Sequence, residues 1–281
     1  MNYRHGFHAG NFADVFKHAL LARLLVYLTR KETPFRVIDT HAGEGGYDLA
    51  GEEAARTQEW RGGVGRLADL SDASEEIRAL LAPYLDCLGA FDAAGKPALY
   101  PGSPLIAQRL TRAQDRAIFY ELRPDAFAAL RRCFASDPRV KTLHLDGYIG
   151  LAACVPPKER RGLALIDPPF ERTDEFEAMF HAFRKAYEKW PTGIYVLWHP
   201  SKDPDAVRRF HRAFKESGAR RVLRLTMDIG EGEAGLRRTG LAVVNPPFVF
   251  EDEARALLPF LVERLGKGKG AGFEIEWLVG E

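Results

Sequence analysis

The residues best suited to chemistry follow a short apolar run in the middle of the chain. Leu163 to Ile166 are all apolar, a pattern typical of a strand buried on both faces of a parallel sheet. Asp167 comes next, and Pro168 and Pro169 then prevent the strand from continuing, because proline donates no backbone hydrogen bond. The chain therefore presents a carboxylate, and the aromatic ring of Phe170 three residues on, at the edge where open α/β sheets bind their ligands.

Three earlier predicted strands lead into acidic residues as well. The strand Phe35–Asp39 runs into a glycine-rich turn, in which Gly43 allows the backbone to approach a ligand closely. Ala117–Glu121 ends in glutamate, and Arg139–His144 is followed by Asp146, which could also serve only as a turn residue. Because the carboxyl ends of parallel strands meet at one edge of a sheet, we expect four carboxylates to converge there. They are Asp39, Glu121, Asp146 and Asp167.

Composition excludes several classes of protein. The formal net charge of +1 creates no global field for nucleic acid, so any such contact needs a local patch. The basic pairs Arg160-Arg161, Arg220-Arg221 and Arg237-Arg238 are candidates, although each is also typical of a solvated surface. The three cysteines lack metal-ligand spacing, so we expect neither a disulfide framework nor a metal site. Charged residues interrupt the first apolar helix, so we expect no membrane span.

Strands and amphipathic helices alternate along the chain, which indicates a doubly wound α/β fold. We predict a Rossmann-like, mostly parallel sheet of seven strands with helices on both faces. A helix over Phe12–Arg30, capped by Asn11, precedes the first strand. Lys17 and His18 lie in the middle of this helix, and such a histidine is usually a hydrogen-bonded core residue.

The interval between the first two strands is too long for a simple βαβ unit. We therefore predict two parts of the chain: a main domain of residues 1–47 and 100–281, and an inserted helical subdomain of residues 48–99. Within the insertion, Gly62–Gly65 is interpreted as a loop. After it, Ser103 is predicted to cap the next helix, where it can also face a ligand.

The motifs around these residues resemble known methyltransferases. Asp167-Pro168-Pro169-Phe170 resembles the Asp/Asn-Pro-Pro-Tyr/Phe signature of enzymes that methylate planar exocyclic nitrogens with S-adenosylmethionine. Over essentially its whole length the chain resembles the J family of bacterial 23S ribosomal RNA (adenine-N6)-methyltransferases. The resemblance is carried by Tyr3-Arg4-His5-x-Phe7-His8-Ala9-Gly10-Asn11, Ala13-Asp14-Val15-x-Lys17-His18, Asp39-Thr40-His41-Ala42-Gly43, Pro101-Gly102-Ser103-Pro104, Asp146-Gly147 and Asp167-Pro168-Pro169.

This resemblance implies a class I S-adenosylmethionine-dependent fold, a 23S ribosomal RNA partner, a monomer without metal or membrane, and a cytoplasmic location. The tail of residues 1–11 is expected to contact substrate RNA through Tyr3, Arg4 and His5. Phe170 departs from the usual family tyrosine, which keeps stacking but removes the phenol hydrogen bond. The implied catalytic residues are Asp167, Pro168 and Phe170. The expected cofactor contacts are Lys17, His18, Asp39, His41, Gly43, Ser103, Glu121, Asp146, Gly147 and Asp167.

A second strand, Leu241–Val244, ends in the similar motif Asn245-Pro246-Pro247-Phe248. Asparagine variants of the signature also occur in methyltransferases, so this motif competes with the first. The order of the chain favours Asp167, because a glycine loop, Glu121 and Asp146 precede it on successive strands, whereas Asn245 comes three strands later.

The chemistry of adenine N6 is consistent with these roles. Its lone pair is delocalised into the ring, and Asp167 together with the Pro168 carbonyl can accept both amino hydrogens. Phe170 can stack on a base removed from its helix. Two other functions stay open on the sequence: a DNA adenine methyltransferase, and an RNA-binding protein that keeps the fold without activity.

Overall fold

The computed structural model describes residues 3–231 and 235–280, so residues 1 and 2 of the predicted tail lie outside it. Its helices and strands alternate along most of the chain. The strands are β1 (Arg36–Asp39), β2 (Gly46–Tyr47), β3 (Tyr100–Pro101), β4 (Arg116–Glu121), β5 (Val140–His144), β6 (Gly162–Ile166), β7 (Ile194–Pro200), β8 (Val222–Ile229), β9 (Arg238–Val244) and β10 (Ala271–Val279). The helices are α1 (Phe12–Thr29), α2 (Glu52–Thr57), α3 (Glu75–Leu88), α4 (Ser103–Leu110), α5 (Pro124–Cys133), α6 (Gly147–Cys154), α7 (Glu175–Lys189), α8 (Pro204–Glu216) and α9 (Phe250–Leu265).

Eight strands form the main sheet, in the order β10-β8-β9-β7-β6-β1-β4-β5, and β2 and β3 form a separate pair. The predicted α/β fold is confirmed, but the predicted number of seven strands is wrong. Strands β7, β6, β1, β4 and β5 are parallel, whereas β9 is antiparallel to both β7 and β8. Every residue of β6 is buried, as its apolar run predicts, because helices cover both faces of the sheet at its centre.

The two faces of the sheet pack against different helices. Helices α1, α3, α4 and α9 contribute to the core on one face, and α6, α7 and α8 to the core on the other. Helix α1 is buried along 15 of its 18 residues and starts at Asn11, whose side chain accepts the Asp14 amide as predicted. Among the described residues, no helix is long and apolar enough to cross a membrane.

The segment 48–99 packs against this main body. Helix α3 buries Ile77, Leu81 and Tyr84 and contacts α1 and α9. The predicted loop at Gly62–Gly65 is wrong, because two 3₁₀ helices, Glu59–Gly62 and Val64–Leu67, occupy this region. Their junction lies against the N-terminal tail, where the Val64 amide donates to the Gly10 carbonyl over 2.8 Å.

Two buried histidines join β7 to α8. His199 Nδ1 lies 3.2 Å from the Pro200 carbonyl, to which it can only donate, so Nε2 accepts from His211 Nε2 at 3.3 Å. Burial lowers the pKa of His199 from 6.5 to about 4 and that of His211 to about 3. Both rings are therefore neutral at physiological pH.

This pair makes folding stability sensitive to acid. The unfolded chain takes up these protons near pH 6.5, whereas the folded chain takes them up near pH 4 and below. The unfolded state thus binds more protons inside this window, so stability falls as the pH drops through it. Between pH 7 and 4.5, we expect the wild-type protein to lose about 2 kcal/mol more unfolding free energy than His211→Gln.

Urea unfolding at the two pH values measures this difference. His181→Gln, an exposed histidine on α7, is the matched control and should behave like the wild type. Equal acid losses in wild type and His211→Gln would contradict the assignment.

Candidate active site

A cavity of about 1400 Å³ opens at the carboxyl edge of the parallel strands. A pocket for one small ligand usually occupies about 300–1,000 Å³, so this cavity has room for two ligands side by side. Of the four predicted carboxylates, Glu121, Asp146 and Asp167 line it, while Asp39 lies beneath its wall and is 1% exposed. Its other lining residues from the predicted set include Tyr3, His5, Lys17, His18, His41, Gly43, Ser103, Gly147, Pro168 and Phe170.

Asp167 is held by a cation from α1. Lys17 Nζ donates to Asp167 Oδ2 over 2.5 Å and lies 3.0 Å from Asp14 Oδ1. The three side chains are nearly inaccessible, with 5%, 15% and 2% of their surfaces exposed for Lys17, Asp167 and Asp14. Burial alone would lower the pKa of Lys17, but the Asp167 and Asp14 carboxylates outweigh it and raise that pKa above its usual value. Lys17 is therefore charged, and the hydrogen bond to Oδ2 leaves Asp167 Oδ1 available to a ligand.

The N-terminal tail, residues 3–11, reaches the same network. His5 Nε2 lies 2.9 Å from Asp14 Oδ2, and because a carboxylate only accepts, this nitrogen carries the proton. Nδ1 of the same ring lies 2.9 Å from the Tyr3 hydroxyl. Tyr3, His5, Asp14, Lys17 and Asp167 thus form one continuous chain of polar contacts across the cavity.

The start of the insertion holds this tail in place. Glu59 accepts hydrogen bonds from His8 at 3.0 Å and from the Asn11 side chain at 3.0 Å. Arg4 pairs with Glu53 at 3.1 Å, and the Thr57 hydroxyl donates to the Phe7 carbonyl. Tyr3 lines the cavity, and its amide donates to Glu171 at 2.6 Å, whereas the predicted site residue Arg4 does not line the cavity.

Polar groups at the ends of β1 and β4 shape the opposite side of the cavity. Glu121 accepts the amides of Gly43 at 2.8 Å and Arg123 at 2.7 Å, and burial raises its pKa. Ser103 is not the predicted helix cap, because Gly102 holds that position and the Ser103 hydroxyl instead donates to Asp39 Oδ2 at 2.6 Å. Burial raises the pKa of Asp39 to about 7, although the Ser103 hydrogen bond opposes this shift.

His18 faces the cavity from a buried position, and His41 faces it from a partly buried one. His18 Nδ1 is 2.8 Å from the Tyr100 hydroxyl, but its buried Nε2 has no hydrogen-bond partner among the described residues. Burial lowers the pKa of His18, and lowers that of His41 to about 4, so both rings are neutral. An unpartnered buried nitrogen is costly unless a ligand satisfies it.

Asp146 and Gly147 form the start of α6. Asp146 Oδ1 caps the helix by accepting the amides of Tyr148 at 2.8 Å and Ile149 at 3.4 Å. Gly147 lies so close to β1 that an added Cβ would be 1.8 Å from the Thr40 carbonyl. Glycine is required there because the backbone itself forms the cavity wall.

Aromatic rings surround the end of the Asp167 motif. Phe170 has a φ of 51° and contacts Phe176 edge-on at 4.9 Å and Trp198 at 5.8 Å between ring centres. The Trp198 ring also lies 5.6 Å from Lys17 Nζ. These contacts fix the Phe170 ring beside Asp167, where it lines the cavity.

The competing motif lies at the other edge of the sheet. Strand β9 is antiparallel to β7, and Val244 pairs with Tyr195 near the start of β7. The Asn245 side chain donates to the Pro191 and Gly193 carbonyls, both at 2.8 Å. Asn245 is therefore a structural residue, as the order of the motifs indicated.

Several residues of the site carried no assigned role in the sequence analysis. Asp14 is the main omission, although its position three residues before Lys17 is a recognisable helical ion-pair spacing. Trp198, Glu59 and Tyr100 had no local signal, because their contacts depend on segments far apart in the chain.

Comparison with known proteins decides the family. A family model described as "Ribosomal RNA large subunit methyltransferase D, RlmJ" matches residues 32–279. The chain belongs to this family. The predicted resemblance and the predicted enzyme class, an rRNA methyltransferase, are thereby confirmed.

Full-length relatives agree with the RlmJ family assignment. The chain is 36% identical to proteins named ribosomal RNA large subunit methyltransferase J from Haemophilus influenzae and Escherichia coli, with 100% of each chain covered. A solved structure from Legionella pneumophila is 32% identical and superposes with a TM-score of 0.87, covering 96% of this chain and 98% of that one. The two proteins therefore share one fold over 96% of this chain.

Proposed function

We propose that this protein transfers the methyl group of S-adenosylmethionine to N6 of an adenine in 23S ribosomal RNA. The observation that carries the proposal is Asp167, fixed through Oδ2 by Lys17 and free at Oδ1, beside the Phe170 ring in a cavity large enough for cofactor and base. Family membership supports the rRNA substrate.

The residues on the β1 and β4 side fit the cofactor. His18 Nε2 is a buried nitrogen that needs a partner, and Gly43 and Gly147 bring the backbone to the cavity wall. We assign the ribose and methionine groups to Glu121 and Ser103, and the adenine end to Asp146. Asp39, beneath the cavity wall, positions Ser103 by accepting its hydroxyl hydrogen. When bound, S-adenosylmethionine supplies an electrophilic methyl group on a good leaving group, so the protein mainly has to position it.

Asp167 and Pro168 are proposed to prepare the acceptor nitrogen. Asp167 Oδ1 and the Pro168 carbonyl accept the two N6 hydrogens, which increases electron density on a nitrogen whose lone pair is otherwise delocalised. As N6 bonds to the methyl carbon, the carbon–sulfur bond breaks and its electron pair stays on sulfur, so that S-adenosylhomocysteine is the leaving group. The cationic N6 then loses a proton toward Asp167 Oδ1. Lys17 holds this carboxylate in place through the hydrogen bond to Oδ2.

Phe170 and the tail are proposed to hold the target base. Stacking on an aromatic ring is worth about 1–3 kcal/mol per base and requires that the adenine leave its own stack. Tyr3 and His5 line the cavity, whereas Arg4 does not line it and pairs with Glu53. We assign all three residues to the RNA side of the base.

A methyl-transfer assay tests this function. The purified protein should transfer tritiated methyl groups from S-adenosylmethionine to 23S rRNA that lacks the modification, and digestion should yield N6-methyladenosine. Duplex DNA containing adenine should not compete. Transfer to DNA in preference to rRNA, or to neither, would refute the proposal.

The second Pro-Pro-Phe motif provides a matched control for this assay. Phe170→Ala should lower the transfer rate about tenfold or more, since base stacking is lost. Phe248→Ala changes the equivalent residue at the opposite edge, where the side chain is 75% exposed, and should leave the rate unchanged.

A further inference from the structure

The six basic residues that line the cavity fall into two groups. Lys17, Arg123 and Arg172 form ion pairs, the last two with Asp125 and Asp174. Lys202, Arg237 and Lys267 are exposed and form no ion pair with any residue that the structure describes. We call these three residues the basic rim.

Sheet topology places the basic rim on one side of the cavity. Lys202 follows β7, Arg237 precedes β9, and the Lys267 amide donates to the Ile229 carbonyl at the end of β8 over 2.6 Å. Strands β7, β9 and β8 lie on one side of β6, whereas β1, β4 and β5 lie on the other. The basic rim and the proposed cofactor residues are thus separated by Asp167, which follows β6.

On the side of the cavity that carries the basic rim, positively charged side chains outnumber negatively charged ones in the described part of the chain. Asp203 lines the same side, and its carboxylate caps α8 through the amides of Asp205 and Ala206. Glu59 faces the cavity as well but bonds His8 and Asn11. Among the described residues that line the cavity on the β7, β9 and β8 side, the three cations of the basic rim therefore face the Asp203 carboxylate. The exposed Glu231 follows β8 but does not line the cavity.

The other predicted basic pairs do not reach the cavity. Arg161 donates to the Leu28 carbonyl at 3.1 Å, and Arg221 to the Pro246 carbonyl at 3.2 Å, both near the amino edge of the parallel strands. Arg238 pairs with Glu274 at 3.0 Å. Of the six arginines in these pairs, Arg237 is the one that lines the cavity.

We propose that Lys202, Arg237 and Lys267 bind the phosphodiester backbone of the substrate RNA beside the methylated adenosine. When a base is extruded into the cavity, its flanking phosphates remain at the cavity mouth. The chain's net charge of +1 does not attract RNA over longer distances, so the attraction must come from local cations. Phosphate contacts of this kind position a nucleic acid without reading its sequence. The inference rests on the proposed function, because it takes RNA as the substrate.

RNA affinity measured against salt concentration tests the basic rim directly. In the triple variant Lys202→Ala/Arg237→Ala/Lys267→Ala, affinity for a 23S rRNA fragment should fall about 100-fold or more. The slope of log affinity against log salt should decrease by about two to three, since each lost phosphate contact removes about 0.7–0.9. The KM for RNA should rise while kcat at saturating RNA and the affinity for S-adenosylhomocysteine stay unchanged.

A control with the same change in charge separates local contacts from net charge. Lys158→Ala/Lys185→Ala/Arg220→Ala removes three exposed basic residues that do not line the cavity, and it should alter affinity less than threefold. The charge-preserving variant Lys202→Arg/Arg237→Lys/Lys267→Arg should keep the wild-type salt slope, because the positive charges rather than the particular side chains bind phosphate. Unchanged affinity for S-adenosylhomocysteine in the alanine triple shows that this variant is folded.

Three results would overturn the inference. They are equal losses in the two alanine triples, an unchanged salt slope in the basic-rim triple, and lost turnover with unchanged RNA affinity. If the wild-type protein binds 23S rRNA through the basic rim but transfers no methyl group, the proposed reaction fails while the phosphate-binding site stands.

Discussion

Replacing Asp167 with asparagine is expected to lower the rate of methyl transfer about 10³-fold, equivalent to about 4 kcal/mol of activation free energy. The amide keeps the size of the side chain but removes the negative charge that attracts hydrogen from N6. It also leaves Lys17 with Asp14 as its one remaining carboxylate partner among the described residues. Single-turnover kinetics at saturating RNA and S-adenosylmethionine measure this loss without a contribution from binding.

Two controls show whether the lower rate of Asp167→Asn comes from the lost catalytic carboxylate. Asp174→Asn removes an exposed carboxylate that pairs with Arg172 and should retain the wild-type rate. S-adenosylhomocysteine should bind Asp167→Asn within a few-fold of the wild type, because the other proposed cofactor contacts lie on α1, α4 and α6 and at the ends of β1 and β4. A variant that retained more than a tenth of the wild-type rate would remove Asp167 from the chemistry.

Replacing Lys17 with methionine is expected to reduce both activity and stability. The buried Asp14 and Asp167 carboxylates would lose the cation between them, and breaking such a pair costs about 3–5 kcal/mol. The transfer rate should fall about 10²-fold, because Asp167 is no longer held in place. Urea unfolding measures the loss of stability, and single-turnover kinetics measure the loss of activity.

A double variant separates the two roles of Lys17. Asp14→Asn/Lys17→Met removes one carboxylate along with the cation, so it should recover part of the lost stability. Its transfer rate should stay low, because Asp167 still lacks its partner. If the rate recovered together with the stability, Lys17 would serve the fold alone. Lys185→Met, on the exposed face of α7, should match the wild type in both measurements.

Local sequence determined the strands and the residues at their ends. The apolar run before Asp167 could only be a buried strand, and Pro168 and Pro169 had to end it. The order of glycine turn, Glu121, Asp146 and Asp167 indicated the shared edge, since right-handed crossovers bring successive parallel strands to it. These signals depend on neighbouring residues and the direction of the chain, so they are readable without the fold.

Tertiary structure decided which of these residues meet and what each side chain bonds. Lys17 and Asp167 are 150 positions apart, and only the packing of α1 against the sheet brings them within 2.5 Å. Because β9 runs antiparallel to β7, Asn245 lies at the edge of the sheet opposite the cavity. Because β7 and β9 are neighbours, Lys202 and Arg237 line the same side of the cavity. Ser103 became a partner of Asp39 because α4 starts directly beside the end of β1. Contacts across such separations depend on how helices and strands pack, and no local pattern of residues specifies that packing.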